Sequence, residues 1–326
     1  MCTSPVLTIV EGQLGQVILN RPEAINALTA EMVGLVADVL REWESDDRVR
    51  TVLITGAGER GLCAGGDLRA MHADAVSGGT GSLEFWAREY DLNAAIAGYP
   101  KPIVAWMDGL VMGGGIGVSA HASLRIVTER SRLAMPEVGI GFHPDVGGSW
   151  LLSRAPGELG THLALTGTTI GAGDAITVGL ADCLVRSERL PYLIADWKEG
   201  VAVTPGDRPV GELGEAREWI DECYAGDDLA VIRERLAAHP VEAARAAAKQ
   251  IDGKSPTSLA VTLRSLRTAA GLPDLRAALD QEYRLSAALL RLPDLAEGIR
   301  AQIIDKDRRP RWSQVPPGLM ESLFRP

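Results

Sequence analysis

Residues 108–121 read DGLVMGGGIGVSAH, and this stretch decides the fold. It follows IVAWM at 103–107, a short apolar run typical of a buried strand. Glycine permits positive φ angles and the close approach of another group. Three glycines at 113–115, placed before a helix-like segment, therefore indicate a tight strand-to-helix connection. Amide N–H groups at such a helix start could hold negative charge that develops on an oxygen atom. Glycines there also permit close packing of a buried helix on a sheet, and both interpretations stay open.

A second loop of this kind precedes the first one. RTVLITGAG is predicted to form a buried strand that ends in a loop, and it leads into GERGLCAGGDLRAM. The glycines Gly65 and Gly66 again follow a strand. Two such loops could supply the two halves of an oxyanion hole. The sequence has neither G-x-x-x-x-G-K-[ST] nor a G-x-G-x-x-G between strand and helix, which argues against kinase and dinucleotide-binding functions.

The order of predicted elements indicates an α/β protein. PVLTIVEGQLGQVILN predicts two strands around a glycine turn, and TAEMVGLVADVLREWESD predicts a helix with Thr29 as its N-cap. KPIVAWMDG predicts a further strand, so residues 1–186 are expected to form a layered α/β body. Residues 187–326 read as mostly helical, with VTPGDRPVGELG as a loop between helices.

Composition restricts the classes of function. Hydrophobic residues make up 46% of the 326 residues, enough for a large core, and the net charge of −10 argues against binding nucleic acid. The segment MCTSPVLTIVEG has no basic leader, and no apolar run approaches the ~18 residues of a membrane span. Four scattered cysteines and five isolated histidines show no metal-ligand spacing. We therefore expect a cytoplasmic protein with no metal site and no membrane partner.

Four motifs in order along the chain, followed by three tail motifs, carry a family resemblance. The chain resembles the enoyl-CoA hydratase/isomerase (crotonase) superfamily in the motifs RPEAINALT, CAGGDL, MDGLVMGGGIG and AMPEVGIGFHPDVGG. The tail motifs that continue this resemblance are KSPTSLAVTLRSL, EYRLS and IDKDRRPRW. Within it they are most similar to the 3-hydroxyisobutyryl-CoA hydrolase group, because simple hydratases lack the tail motifs. The resemblance covers nearly the whole chain and implies a crotonase-like spiral of ββα repeats with an α-helical C-terminal region.

The resemblance also implies the roles of individual residues. Two backbone amides, those of Ala64 and Gly114, would grip the thioester carbonyl oxygen of an acyl-CoA. Glu137 and Asp145 would be the catalytic acids, because a carboxyl group in apolar surroundings has its pKa moved toward neutral pH. Contacts with the substrate are expected from the remaining motif residues, namely Glu23, Ala24, Gly65, Gly66, Asp67, Gly113, Gly117 and His143.

Several of these residues have an alternative interpretation that the sequence leaves open. Asn26, within the first motif, fits a turn residue as well as a position near the adenine end of CoA. Asp67 fits a helix cap, and His143 fits an ordinary loop residue. Cys63 is better interpreted as a small buried residue than as a nucleophile, since no paired histidine is evident.

One departure from the family pattern bears on the reaction. Hydratases carry a second catalytic glutamate just after the glycine triplet, and Gly117 stands at that position here. The sequence therefore predicts hydrolysis of a short 3-hydroxyacyl-CoA thioester, 3-hydroxyisobutyryl-CoA from valine breakdown. An enoyl-CoA hydratase or isomerase and a non-catalytic acyl-CoA-binding protein are the alternatives. The resemblance implies no cofactor, since CoA is part of the substrate, and a homo-oligomer, either trimer or dimer.

Overall fold

The computed structural model describes residues 4–202 and 206–325. The strands are β1 (Val6–Glu11), β2 (Leu14–Leu19), β3 (Thr51–Gly56), β4 (Gly61–Cys63), β5 (Ile103–Met107), β6 (Leu110–Met112), β7 (Leu124–Val127), β8 (Arg132–Ala134) and β9 (Cys183–Leu184). The helices are α1 (Ala30–Glu44), α2 (Leu68–Ser77), α3 (Gly81–Ala97), α4 (Gly114–Gly117), α5 (Gly148–Leu152), α6 (Leu159–Thr166), α7 (Ala172–Thr177), α8 (Leu190–Lys198), α9 (Glu212–Tyr224), α10 (Leu229–Ala238), α11 (Glu242–Asp252), α12 (Pro256–Ala269), α13 (Leu275–Leu289), α14 (Pro293–Ile299) and α15 (Leu319–Leu323). Three 3₁₀ turns (Pro22–Ala24, Glu137–Ile140, Ser187–Arg189) and a π-helical turn (Arg300–Ile304) complete the elements.

The first predicted elements form as the sequence indicates. β1 and β2 pair antiparallel, and Gly12 in the turn between them adopts a positive φ of 57°. α1 begins after Thr29, whose side chain accepts a hydrogen bond from the Met32 N–H at 3.2 Å. A capping hydroxyl satisfies one of the amides that the first helical turn leaves without a partner.

Two sheets carry the strand pattern. The larger one has six strands in the order β1-β2-β3-β5-β7-β9, and all its pairs after the first hairpin are parallel. The smaller sheet has the parallel order β4-β6-β8. Along the chain, one strand of each sheet and then a helix or 3₁₀ turn recur three times, as β3-β4-α2, β5-β6-α4 and β7-β8 with the turn at Glu137–Ile140. This is the expected ββα repeat.

The chain divides into two compact units, each made of three segments. The first unit comprises Met1–Gly66, Arg88–Ala134 and Ile170–Glu212 and contains both sheets. Its core is a set of buried apolar residues contributed by the large sheet and α8, namely Leu14, Leu53, Val104, Trp106, Ile126, Cys183 and Trp197. Parallel strands buried in this way have the continuous apolar runs seen in the sequence.

The second unit comprises Asp67–Ala87, Met135–Thr169 and Leu213–Pro326 and is helical. In it, α12 packs against α5, α6 and α13. The chain after residue 187 is mostly helical as expected, and it includes α8, α11, α12 and α13. The domain boundary that we predict between residues 186 and 187 stays a prediction. Part of the predicted loop, residues 203–205, lies outside the described residues.

Two further expectations concern membranes and thiols. Within residues 4–202 and 206–325, no helix is long and apolar enough to cross a bilayer. Cys63, Cys183 and Cys223 are free and buried, while Cys2 lies outside the described residues.

Candidate active site

The glycine triplet places a free backbone amide at the start of a short helix. α4 begins at Gly114, and the first N–H groups of a helix have no acceptor within the helix itself. No hydrogen-bond acceptor for the Gly114 N–H, or for the Gly66 N–H, occurs among the described residues. A methyl group built on Gly114 would lie 3.5 Å from the carbonyl carbon of Gly65, the atom bonded to Gly66 N. The Gly65–Gly66 peptide and Gly114 are therefore neighbours in the first unit.

The prediction that Ala64 supplies an oxyanion-binding amide is wrong. The Ala64 N–H donates to the Ile25 carbonyl at 2.9 Å, so it is already occupied. Gly65 then turns the chain with a positive φ of 105°, and its own N–H lies 3.4 Å from Cys63 Sγ. The free donor is Gly66, two residues further along. A motif match located the loop, but the pairing of each amide in it depends on contacts with the segment before α1.

Glu89 is a candidate site residue that the sequence prediction missed. It lies on α3 and is 2% exposed, and a methyl group on Gly114 would stand only 2.5 Å from its Oε1. A buried carboxyl group thus borders the free amide of Gly114. Its signal was present in the sequence, because Glu89 interrupts an apolar stripe that continues with Leu92 and Ile96.

The second unit holds the two predicted acids, and both are buried. Glu137 opens the 3₁₀ turn Glu137–Ile140 and is 6% exposed, as is Asp145. The Glu137 Oε2 atom is buried and has no hydrogen-bond partner among the described residues. A buried polar atom without a protein partner costs free energy, so it is a place where a ligand or its reacting group would be bound favourably.

The electrostatics of this unit favour the protonated form of Glu137. Burial raises the pKa of Glu137 well above its usual range, and the charges of Asp145 and Glu282 raise it further. Like charges that share a buried site cannot both ionise easily. The ionisation of Glu137 is therefore coupled to the charge of Asp145.

The first motif is structural around Asn26. Its buried side chain donates to the carbonyl groups of Ala57, Gly61 and Leu62 at 3.0–3.1 Å, and it accepts from the Arg21 N–H at 2.9 Å. The turn interpretation of Asn26 is confirmed. Glu23 and Ala24 belong to the 3₁₀ turn that precedes Asn26 and face partly to solvent. Their predicted contact with CoA stays a prediction.

Three other predicted residues have local roles. Asp67 caps α2, accepting from the Arg69 N–H at 3.2 Å. Burial raises the pKa of the Cys63 thiol to about 12, so the thiolate is disfavoured and the interpretation of Cys63 as a buried structural residue is confirmed. Both ring nitrogens of His143 are bonded inside the second unit, which leaves neither of them for an acyl group.

The remaining glycines build the loop itself. Gly113 precedes α4 with a positive φ of 48°, and Gly117 is buried as the last residue of α4. No carboxyl group is therefore present at the position of the second hydratase glutamate. Among the described residues, no cluster of three or more histidine, cysteine, aspartate or glutamate side chains could hold a metal ion.

Comparison with known proteins agrees with the motifs. A family model described as enoyl-CoA hydratase/isomerase matches residues 14–318. The chain is 38% identical over 327 residues to the mitochondrial 3-hydroxyisobutyryl-CoA hydrolase of Danio rerio, covering 95% of this chain and 85% of that protein. It is also 38% identical over 326 residues to the same protein of Rattus norvegicus, covering 95% and 84%.

Solved structures with the same fold carry other names. A carnitinyl-CoA dehydratase from Mycobacterium thermoresistibile is 49% identical, with a TM-score of 0.95 and coverage of 99% of this chain and 97% of that one. An enoyl-CoA hydratase from Rhodobacter sphaeroides is 43% identical, with a TM-score of 0.94 and coverage of 99% and 98%. The expected crotonase-like α/β fold with its helical C-terminal region is confirmed.

The relatives also correct one expectation. The 3-hydroxyisobutyryl-CoA hydrolases found in the comparison are named as mitochondrial proteins, so the cytoplasmic location inferred from the sequence is wrong. Composition is weak evidence about a compartment. The family itself follows from a match over most of the chain and from relatives above 30% identity. This chain belongs to the enoyl-CoA hydratase/isomerase family.

Proposed function

We propose that this chain hydrolyses 3-hydroxyisobutyryl-CoA to 3-hydroxyisobutyrate and CoA. The observation that carries this function is the buried carboxyl pair Glu137 and Asp145, combined with glycine at position 117. Hydration of a double bond relies on two carboxyl groups that position and split water, and Gly117 removes one of them. The names and 38% identity of the relatives from Danio rerio and Rattus norvegicus support the same reaction.

The amides of Gly66 and Gly114 are proposed to bind the thioester carbonyl oxygen. When the carbonyl carbon is attacked, negative charge moves to this oxygen, and two fixed N–H donors stabilise it. Both donors lack acceptors among the described residues, and they come from loops that lie against each other in the first unit. Loss of one donor of this type typically slows a reaction by about 10²–10³.

The carboxyl pair is proposed to carry out the proton transfers. In its ionised form Glu137 delivers an oxygen atom, its own or that of water, to the carbonyl carbon, and the C–S bond breaks. Asp145 passes a proton to the departing CoA thiolate or orients the hydrolytic water. Overall, the hydroxyl group of water ends on the acyl carbon and its proton on the thiol. Burial and the charge of Asp145 raise the pKa of Glu137, and two carboxyl groups whose ionisation is coupled can supply both a base and an acid.

A hydratase or dehydratase is the second candidate function. The names of the two solved structures at 49% and 43% identity favour it. The two functions differ in products, because hydrolysis releases a thiol while hydration only consumes the enoyl double bond. Purified protein should be given 3-hydroxyisobutyryl-CoA, other short 3-hydroxyacyl-CoA esters and crotonyl-CoA. Thiol release is expected from the hydroxylated esters, and loss of enoyl absorbance without thiol release would favour the second function.

Three further features belong to the same proposal. The reaction draws on no metal or redox cofactor, since CoA enters as part of the substrate. Its substrate places the enzyme in the breakdown of valine. The protein is proposed to assemble as a dimer or trimer, which analytical ultracentrifugation of the full chain would test.

A further inference from the structure

Helix α13 contacts the segment that carries Asp145 at two points. The Glu282 Oε2 atom accepts the Gly147 N–H at 2.7 Å, and Oε1 accepts the Ser149 N–H at 2.9 Å and the Ser149 hydroxyl at 2.5 Å. One helical turn later, Ser286 Oγ lies 3.0 Å from His143 Nε2. These two side chains come from the tail motif EYRLS, which the catalytic proposal leaves without a role.

Both ring nitrogens of His143 are hydrogen-bonded. Nδ1 lies 3.1 Å from the Pro144 carbonyl oxygen, Nε2 lies 3.0 Å from Ser286 Oγ, and the Glu282 main chain is a further hydrogen-bond partner of the ring. Burial lowers the pKa of His143 to about 4, so the ring is neutral near neutral pH.

The two contacts lie on either side of Asp145, where the backbone is strained. Val146 has φ 52° and Gly147 has φ 80°, both in the left-handed region. A β-branched residue is a genuine outlier there, and such a conformation persists only where the surroundings fix it. The Gly148 N–H donates to the Asp145 carbonyl at 2.6 Å, so the backbone at Asp145 is part of the same turn.

All the groups involved are buried. Glu282, Ser286 and His143 are fully buried, and Ser149 is 1% exposed. Hydrogen bonds in such surroundings are stronger than in water, and losing one leaves an unsatisfied buried group. Burial also raises the pKa of Glu282 to about 8, and the charge of Asp145 adds to this effect, so the two carboxyl groups influence each other.

We propose that Glu282, assisted by Ser286, is a positioning residue that fixes the backbone on both sides of Asp145 and thereby the direction of its carboxyl group. This role rests on the function proposed above, to the extent that Asp145 acts in the reaction. Glu282 itself accepts from the main-chain N–H groups of Gly147 and Ser149 and from the Ser149 hydroxyl.

Glu282→Gln tests the role through activity. Glutamine keeps the shape of the side chain, but its amide nitrogen cannot accept, whereas both oxygens of a carboxyl group keep acceptor capacity even when it is protonated, so at least one of the three donors loses its partner. We expect kcat to fall about 10–100-fold with KM changed less than about threefold, because a small misplacement of a reacting group is costly. In an Asp145→Asn background the same substitution should lower kcat less than about twofold. If Glu282→Gln lowered kcat by the same factor in the wild type and in the Asp145→Asn background, the role would be overturned, because Glu282 would then act independently of Asp145.

Gln281→Leu is the matched control on α13. Gln281 is also buried, but its amide donates to the Ser265 carbonyl and hydroxyl at 3.2 and 3.0 Å, away from the Asp145 segment. Its substitution perturbs packing between α12 and α13 without touching residues 143–149. We expect thermal stability to fall while kcat stays within about threefold of the wild type.

Hydrogen exchange followed by mass spectrometry decides the role without reference to activity. In the free protein, peptides that cover residues 143–150 should exchange at least tenfold faster in the Glu282→Gln variant than in the wild type. Gln281→Leu should leave them unchanged. Unchanged exchange in Glu282→Gln overturns the inference, whatever reaction the protein catalyses. A wild-type protein that releases no thiol overturns the proposed function alone.

Discussion

Glu89 Oε1 occupies the space that a side chain on Gly114 would need. A methyl group there would approach it to 2.5 Å, which is closer than carbon and oxygen atoms approach without displacement. The position of the Glu89 side chain therefore favours glycine at position 114. The buried carboxyl group of Glu89 therefore lies next to Gly114, whose amide we assign to the thioester carbonyl oxygen.

Gly114→Ala should reduce activity more than stability. The added methyl group must displace Glu89 or move the Gly114 N–H, and we expect kcat/KM for thiol release to fall about 10²–10³-fold. Overpacking should cost about 1–3 kcal/mol of unfolding free energy. Steady-state kinetics and urea unfolding measure the two effects.

Gly34→Ala is its control, because no atom lies within 4 Å of the added carbon in α1. That variant should gain about 0.5–1 kcal/mol and keep its activity. If Gly114→Ala were as active as Gly34→Ala, the assigned amide would not contact the reacting oxygen.

Glu89→Gln should change the preference for hydroxylated substrates. A buried carboxylate near the thioester site can accept a hydrogen bond from a hydroxyl group on the acyl chain, and bonds to charged groups contribute about 1.5–3 kcal/mol. We expect kcat/KM for 3-hydroxyisobutyryl-CoA to fall at least about tenfold, while isobutyryl-CoA changes less than about threefold. Equal losses for the two esters would show that Glu89 does not distinguish them.

Asn26→Ala should destabilise the fold by about 3 kcal/mol. The substitution leaves the buried carbonyl groups of Gly61 and Leu62 and the part-buried carbonyl group of Ala57 without their donor and puts alanine at a φ of 55°. Asn20→Ala is the matched change, since the Asn20 amide makes an exposed bond to the Ser4 carbonyl at 2.9 Å. It should cost no more than about 0.5 kcal/mol. Similar midpoints in urea for the two variants would contradict the structural role of Asn26.

The pH dependence of stability should change in Glu282→Gln. Burial raises the pKa of Glu282 from 4.5 to about 8, so this group is protonated in the folded protein and ionised when unfolded. Unfolding then releases a proton, and the free energy of unfolding falls as pH rises from about 4.5 to 8. The difference between the two pKa values of Glu282 sets an upper limit of about 5 kcal/mol on this decrease in the free energy of unfolding.

Buried His143 and His162 titrate with the opposite sign in both proteins, so the difference between wild type and variant reports Glu282 together with its effect on the pKa of Glu137. Urea unfolding at several pH values should show the variant gaining stability relative to the wild type between pH 5 and about 8. A constant difference would show that Glu282 is ionised throughout.

The sequence predicted the fold because its signals are local. Strand runs, the Thr29 cap and the glycine turn at Gly12 depend on neighbours along the chain, and each formed as expected. The burial of Glu137 and Asp145 also followed from their apolar surroundings in the sequence. For these features the pattern in the neighbouring sequence was enough to predict the structure.

The details that the sequence missed depend on contacts between distant segments. The Ala64 N–H is occupied because the Ile25 carbonyl accepts its hydrogen, while the Gly66 N–H has no acceptor among the described residues. Glu89 matters through its approach to Gly114, 25 residues further along the chain. Glu282 reaches a loop that precedes it by 135 residues. Such pairings are set by the packed structure, which a motif match does not describe.

The most direct test of the central claim is CoA release from 3-hydroxyisobutyryl-CoA by wild type and Glu137→Gln, compared at equal folded fraction. The wild type should release CoA, and the variant should lose about 10²–10⁴ in kcat because glutamine can neither attack the carbonyl carbon nor accept a proton from water. Release by the variant within about twofold of the wild type would contradict the claim that a buried carboxyl group at position 137 breaks the thioester.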